Sequence, residues 1–132
     1  VRHLSGNMIS RWTDFLTSDG EKEFRKRDEE FERLFYTDKD DVLSRWEKGW
    51  KCLFDTLSSL KEEDLLKEVF IRKEKHTVTE AVNRQLAHYG YHIGQIVYIA
   101  KHLESRNWKS LSIPRGKSGD FNAQMNKKSK GK

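Results

Sequence analysis

A single cysteine, a single proline and no long apolar run set the first limits on this 132-residue chain. With Cys52 alone, an intrachain disulfide is excluded and a reducing compartment fits. That thiol lies in "WKCLFDTL", beside the apolar stripe of a predicted helix, where a buried or half-buried inert thiol is expected. No apolar stretch approaches the roughly 18 residues of a membrane span, and no signal peptide is visible. These absences predict a soluble cytoplasmic protein with no membrane partner. The one proline, Pro114, falls late in the chain, so no helix before it is broken by a pyrrolidine ring. The chain opens "VRHLSGNM", without an initiator methionine.

Charge is plentiful. Charged residues make up 36% and apolar residues 35%, the balance of a bundle whose helices each keep one solvated face. The net charge of +5 invites a nucleic-acid reading, but it is unevenly placed. Residues 1–106 hold 19 Lys and Arg against 20 Asp and Glu, whereas residues 107–132 hold 7 against 1. The basicity therefore belongs to a Lys-, Ser- and Gly-rich end with little to bury. This divides the chain into a helical domain, residues 1–112, and a basic, partly disordered tail, residues 113–132. Nucleic acid is not an expected partner.

Periodicity supplies the helices. Leu4, Met8, Trp12, Phe15 and Leu16 recur at steps of three and four, predicting a helix that ends near Thr17, with Asp19 and Gly20 in the turn. "EKEFRKRDEEFERLFY", with its scattered Phe24, Phe31 and Phe35, reads as a long connection containing one helical turn. A second helix is predicted over 39–60, capped by Thr37 or Asp38, with Val42, Trp46, Leu53 and Leu57 on its stripe. The following link is expected to be extended over 69–75. Thr77 and Glu80 have capping-box spacing, so the last long helix should run from Val78 to about Ser105. Its predicted bundle side carries Val82, Leu86, Tyr89, Ile93, Ile96 and Ile99 or Ala100. Gly90 and Gly94 each cost about 1 kcal/mol of helix stability relative to Ala, which suggests close approach of a neighbouring helix.

His88 and His92 stand one helical turn apart in "RQLAHYGYHIGQIVYIAKHL", so they share a face and can close on one metal ion. A catalytic zinc site needs a third protein ligand and an open position. His3, near the start of the first helix, supplies it if the two helices are neighbours, and Asn7 one turn on is placed to orient a ligand. His102 lies about 80° off the His92 face and is expected on the surface. His76 is expected in a loop. Glu47 reads as a solvated helix residue, and "GKS" at 116–118 lacks the earlier glycine of a phosphate loop.

With these three histidines in place, the chain resembles the DinB-like superfamily of four-helix bundles. "RHLSGN", "QLAHYGYHIGQIVYIAK" and "SIPRGKSGDFN" are most similar to a small, functionally uncharacterised branch found in Gram-positive bacteria. The resemblance implies an all-α four-helix bundle whose first helix is missing from this chain. It assigns His3, His88 and His92 to a divalent metal, zinc or nickel. Superfamily members include bacillithiol transferases and a mycothiol-dependent isomerase, and members often dimerise. The implied activity is a metal-dependent thiol S-transferase or hydrolase, in which the ion activates a low-molecular-weight thiol or water. The implied partners are a small-molecule substrate or thiol and a second copy of the chain. The competing reading is a non-catalytic, stress-associated protein whose ion only stabilises the bundle. No catalytic base is identified.

Overall fold

A computed structural model of the chain describes residues 1–32 and 38–130. Its elements are helices α1 (Arg2–Trp12), α2 (Lys39–Ser59), α3 (Val78–Glu104) and α4 (Ser118–Lys130), with strands β1 (Glu68–Ile71) and β2 (Glu74–Thr77). The helical class expected from sequence holds, with one antiparallel hairpin added between α2 and α3. Two compact units divide inside α3, at Ile93 and Gly94. No helix among the described residues is long and apolar enough to cross a membrane.

In the first unit α1 is the central element, because it is apolar on one side and small or polar on the others. Leu4, Met8 and Trp12 are buried together with Phe15, Leu53, Val69, Ile71, Val78 and Tyr89. Gly49 of α2 lets that helix approach: a Cβ there would sit 3.0 Å from both Met8 Sδ and Ser5 Cα. The contact is pinned at both ends by hydroxyls, Ser5 Oγ donating to the Arg45 carbonyl (2.7 Å) and Thr56 Oγ1 to the Trp12 carbonyl (2.8 Å). Trp46 and Trp50 pack edge to face at 5.5 Å, and Trp50 meets Tyr89 of α3 at the same separation.

Helix α1 stops at Trp12, five residues before the expected end near Thr17. Thr13 is extended and Asp14 is left-handed (φ 47°), and the Ser18 hydroxyl donates to the Asp14 carbonyl at 3.0 Å. This turn still buries Phe15, while Leu16 faces outward. The chain then reaches the hairpin, where Asp19 takes over. The β1–β2 turn places two non-glycine residues, Arg72 and Lys73, at positive φ (55° and 66°), a conformation that costs free energy. The Asp19 carboxylate accepts from both of their amides (2.8 and 2.7 Å) and from Glu21 N (2.8 Å), fixing the turn. Burial pushes the Asp19 carboxyl up, but the amides of Lys73, Glu21 and Arg72 outweigh it and hold the group below its usual range.

Helix α2 is capped by Asp38, whose carboxylate accepts from Asp41 N at 2.7 Å; the alternative cap, Thr37, lies outside the described residues, as does Phe35. The expected turn in the long connection is a 3-10 turn at Asp28–Phe31. Helix α3 begins with the expected box: Thr77 N donates to Glu80 Oε2 (2.7 Å) and Glu80 N to Thr77 Oγ1 (3.2 Å). Its inward face keeps Tyr89 and the half-buried Val82 of the predicted set but not Leu86, Ile96 or Ile99. The buried positions are Val78, Ala81, Gln85 and Tyr89, whereas Leu86 is 70% exposed and Ile96 and Ile99 are also exposed. Polar partners on α1 account for the rotation: Tyr89 Oη accepts from Trp12 Nε1 (3.2 Å) and Gln85 Nε2 donates to Asn7 Oδ1 (2.9 Å). Within the chain no helix approaches Gly90 or Gly94 closely, since a Cβ at either meets no described atom within 4 Å.

The second unit contains the end of α3, a 3-10 turn at Ser105–Asn107 and α4. Helix α4 occupies most of the segment that composition assigns to a tail. Its first turn is tied by Lys117 Nζ donating to Asp120 Oδ2 at 3.0 Å.

Candidate metal centre

The first turn of α1 presents His3, and the middle of α3 presents His88 and His92 on one face. Their imidazoles meet: the ligand atoms of all three lie within 4.8 Å of one another. His88 Nε2 is 3.2 Å from His3 Nε2 and 3.1 Å from His92 Nε2. A tetrahedral ion bound at about 2.0–2.1 Å by imidazoles separates their nitrogens by roughly 3.3 Å, so the two separations from His88 fit a metal-binding set.

The second nitrogen of His3 decides what the first can do. His3 Nδ1 lies 2.8 Å from Glu30 Oε2. An ionised carboxylate only accepts, so Nδ1 carries the proton and the neutral ring points a bare lone pair at His88. Two imidazole nitrogens at this distance are joined either by the N–H of one neutral ring or by a cation between them. Protonation is opposed: burial, then the proximity of His92 and His3, pulls the His88 pKa down to about 4. Burial also lowers the His3 pKa, even against the hydrogen bond and charge of Glu30. His3 and His88 are therefore neutral, and with Nδ1–H on each ring their Nε2 lone pairs are open to a divalent cation.

Glu30 is itself held. Arg25 grips it with two hydrogen bonds, Nε to Oε1 (2.8 Å) and Nη2 to Oε2 (2.9 Å), and turns Nη1 to Glu21 Oε2 (3.1 Å). Gly6 leaves the room, since a Cβ there would stand 2.2 Å from Glu30 Oε1. Phe31 closes the other side of the His3 ring at 4.6 Å between centroids. A histidine held by a carboxylate in this way keeps its tautomer and orientation, as second-sphere partners do in metal sites.

His88 is held from the other direction. Its Nδ1 meets the Gln85 side-chain amide at 3.1 Å, and that amide is in turn bonded to Asn7. An amide presents oxygen or nitrogen by turning over, so the Asn7–Gln85 pair can accept the Nδ1–H that ligation through Nε2 requires. Asn7 thus acts through Gln85. Sequence reading marked it as a ligand-orienting residue, and it reaches the histidine indirectly.

A cavity of about 300 Å³ opens onto His3 and His88, and its remaining lining is Asn7, Gln85 and five arginines: Arg11, Arg25, Arg27, Arg72 and Arg84. No aspartate or glutamate lines it among the described residues. Reading the sequence missed this feature and missed Glu30 and Arg25, because "EKEFRKRDEEFERLFY" looks like a solvated connection. The density of both charge signs in that stretch was the available signal.

The other candidate residues lie elsewhere. His76 is in β2, paired with Val69, rather than in a loop, and its Nε2 is 3.3 Å from Glu74. His102 and Glu47 are exposed. Cys52 is half-buried, 3.7 Å from Thr13 Oγ1 and 3.9 Å from the Met8 carbonyl.

No curated protein and no solved structure matches the chain significantly. The sequence profile of DUF1572, a family of proteins of unknown function, matches residues 1–117, and the chain belongs to that family.

Proposed function

We propose that this chain is a divalent-metal-dependent enzyme in which His3, His88 and His92 hold zinc or nickel beside the arginine-lined cavity. The observation that carries the reading is the convergence of three Nε2 atoms, with the other nitrogen of His3 tied to Glu30 and that of His88 to Gln85. Three protein ligands leave room for an exchangeable fourth, the arrangement of catalytic rather than closed structural sites. The one-plus-two distribution of histidines over two helices supports kinship with the DinB-like superfamily.

A bound cation of this kind stabilises a thiolate or hydroxide near neutral pH. Between the two nucleophiles, the lining favours a thiol. Water attack profits from a carboxylate or imidazole base, and Glu30, the carboxylate that meets His3 among the described residues, is occupied by His3 and Arg25. A thiol needs less help, because its pKa lies close to neutrality and neighbouring guanidinium groups lower it further. We therefore place thiol S-transfer first and hydrolysis second, with a low-molecular-weight thiol as co-substrate in a reducing, cytoplasmic setting.

Glu30 and Arg25 orient His3, Gln85 and Asn7 orient His88, and the arginines hold the substrate side of the cavity. The competing structural role draws on one observation: an ion here would tie α1 to α3 across 85 residues of sequence. Cobalt-substituted protein separates the two. Adding a thiol should produce a thiolate-to-cobalt charge-transfer band, with release of about one proton. A cobalt spectrum unmoved by thiol would leave the ion structural. The proposal extends to assembly as a homodimer through exposed apolar residues of α3 such as Leu86 and Tyr91; light scattering that finds a monomer at high micromolar concentration contradicts that part.

A further inference from the structure

The arginine-lined cavity has more positive charge than the chain itself neutralises. Arg25 is fully engaged by Glu30 and Glu21, with only 3% of its side chain exposed. Arg27, Arg72 and Arg84 differ: each is half-exposed and meets one carboxylate, of Asp28, Glu21 and Glu74, at the long distances of 3.4, 3.3 and 3.4 Å. Arg11 is the telling residue. It is 6% exposed, and its one hydrogen bond among the described residues runs from Nε to the Gly20 carbonyl at 3.3 Å. It forms no ion pair among the described residues, and its terminal nitrogens are not among the buried atoms that lack a partner, so they meet the space of the cavity it lines. Gly20 fixes this placement, because a Cβ there would stand 2.6 Å from Arg11 Cδ.

A buried guanidinium without a carboxylate costs stability unless something anionic completes it. Burial lowers the Arg11 pKa, and the charges of Arg84 and Arg25 act in the same direction against the charge of Glu21. Planar guanidinium groups converging from several elements suit a carboxylate or phosphate, which they bind through paired N–H groups.

We propose that the cavity is an anion-binding subsite for a small molecule carrying a carboxylate or phosphate group, with Arg11 as its deep anchor and Arg27, Arg72 and Arg84 at its mouth. This rests on the proposed metal site for its orientation, since His3 and His88 share the same cavity and would present the ion to the other end of that ligand. Anion binding itself requires only the arginines. The substrate class of the site is then an anionic small molecule with its reacting group toward the histidines.

Calorimetry with inorganic phosphate and with succinate, on metal-free and on nickel-loaded protein, tests the inference. Metal content is measured separately on the same samples. One anion should bind per chain in both forms, with affinity falling as salt rises. The tighter of the two probes identifies the group as phosphate or carboxylate. Affinity should drop at least tenfold in Arg11→Gln, and in the doubly substituted Arg72→Gln/Arg84→Gln, whose exposed positions leave folding intact if Arg11→Gln does not fold. Wild-type protein that takes up nickel yet binds neither anion overturns the subsite and leaves the metal reading standing. Anion binding by protein that takes up no nickel upholds the subsite and overturns the metal reading. Binding confined to the nickel-loaded form and unchanged in the double variant assigns the anion to the ion alone and also overturns the subsite.

Discussion

His3 and His88 are each defined by what the second nitrogen touches. Glu30 is the most consequential of these partners, since it sets the His3 tautomer and is shared with a buried arginine. Glu30→Gln keeps the side-chain shape and removes the charge. Its expected effect is a 10- to 100-fold weaker affinity for zinc by calorimetry, with helicity retained. Unchanged affinity would show that Glu30 does not support the site. The depressed His88 pKa makes a second claim at this scale. Folded His88 takes its proton at about 4 and an unfolded histidine at about 6.5, so between those values the unfolded chain binds more protons. The stabilisation is complete above about pH 6.5 and is lost as pH falls toward 4. A shift of this size corresponds to about 3 kcal/mol, and the ring's partial exposure reduces the expectation to about 1 kcal/mol. Urea unfolding of metal-free protein at pH 7 and pH 4.5 should show that loss in wild type and a smaller one in His88→Gln; equal losses would contradict the assignment.

Among the elements, glycines separate contact from open space. Gly49 is pressed between Met8 and the Ser5 backbone, so Gly49→Ala must part α1 from α2 and should cost about 1–3 kcal/mol. Gly90 faces no described atom within 4 Å, so Gly90→Ala should gain about 0.5–1 kcal/mol from helix propensity alone. Urea midpoints that move the same way in both variants would refute this picture of α1 and α2 packing. The element boundaries that were legible in the sequence are those set by local chemistry: the Asp38 cap of α2 and the Thr77–Glu80 box of α3 act over three residues. The end of α1 was misread because the turn at Asp14 follows no hydrophobic period. The inward face of α3 was misread for a different reason. Apolar periodicity points to Leu86, but the helix is turned by Asn7 and Trp12, whose bonds to Gln85 and Tyr89 span 78 and 77 residues. The His88 and His92 pair was visible as spacing. Glu30, which bonds His3 from 27 residues away, and the arginines gathered from four separate stretches were not, because no local pattern announces a contact made by folding.

For the molecule as a whole, the account depends on three side chains from two distant parts of the sequence acting as one ligand set. Folding brings His3 to His88 and His92, and an ion bound there would stabilise the native chain by an amount that rises with the logarithm of its free concentration above Kd. The most direct test is elemental analysis after saturation with zinc or nickel and removal of loosely held metal, for wild type, His3→Ala and His92→Ala in parallel. The account predicts about one ion per wild-type chain and less than about a tenth of that in each variant, with helical content preserved. Wild-type protein that retains no divalent ion, or a His92→Ala variant that keeps a full equivalent, would contradict it.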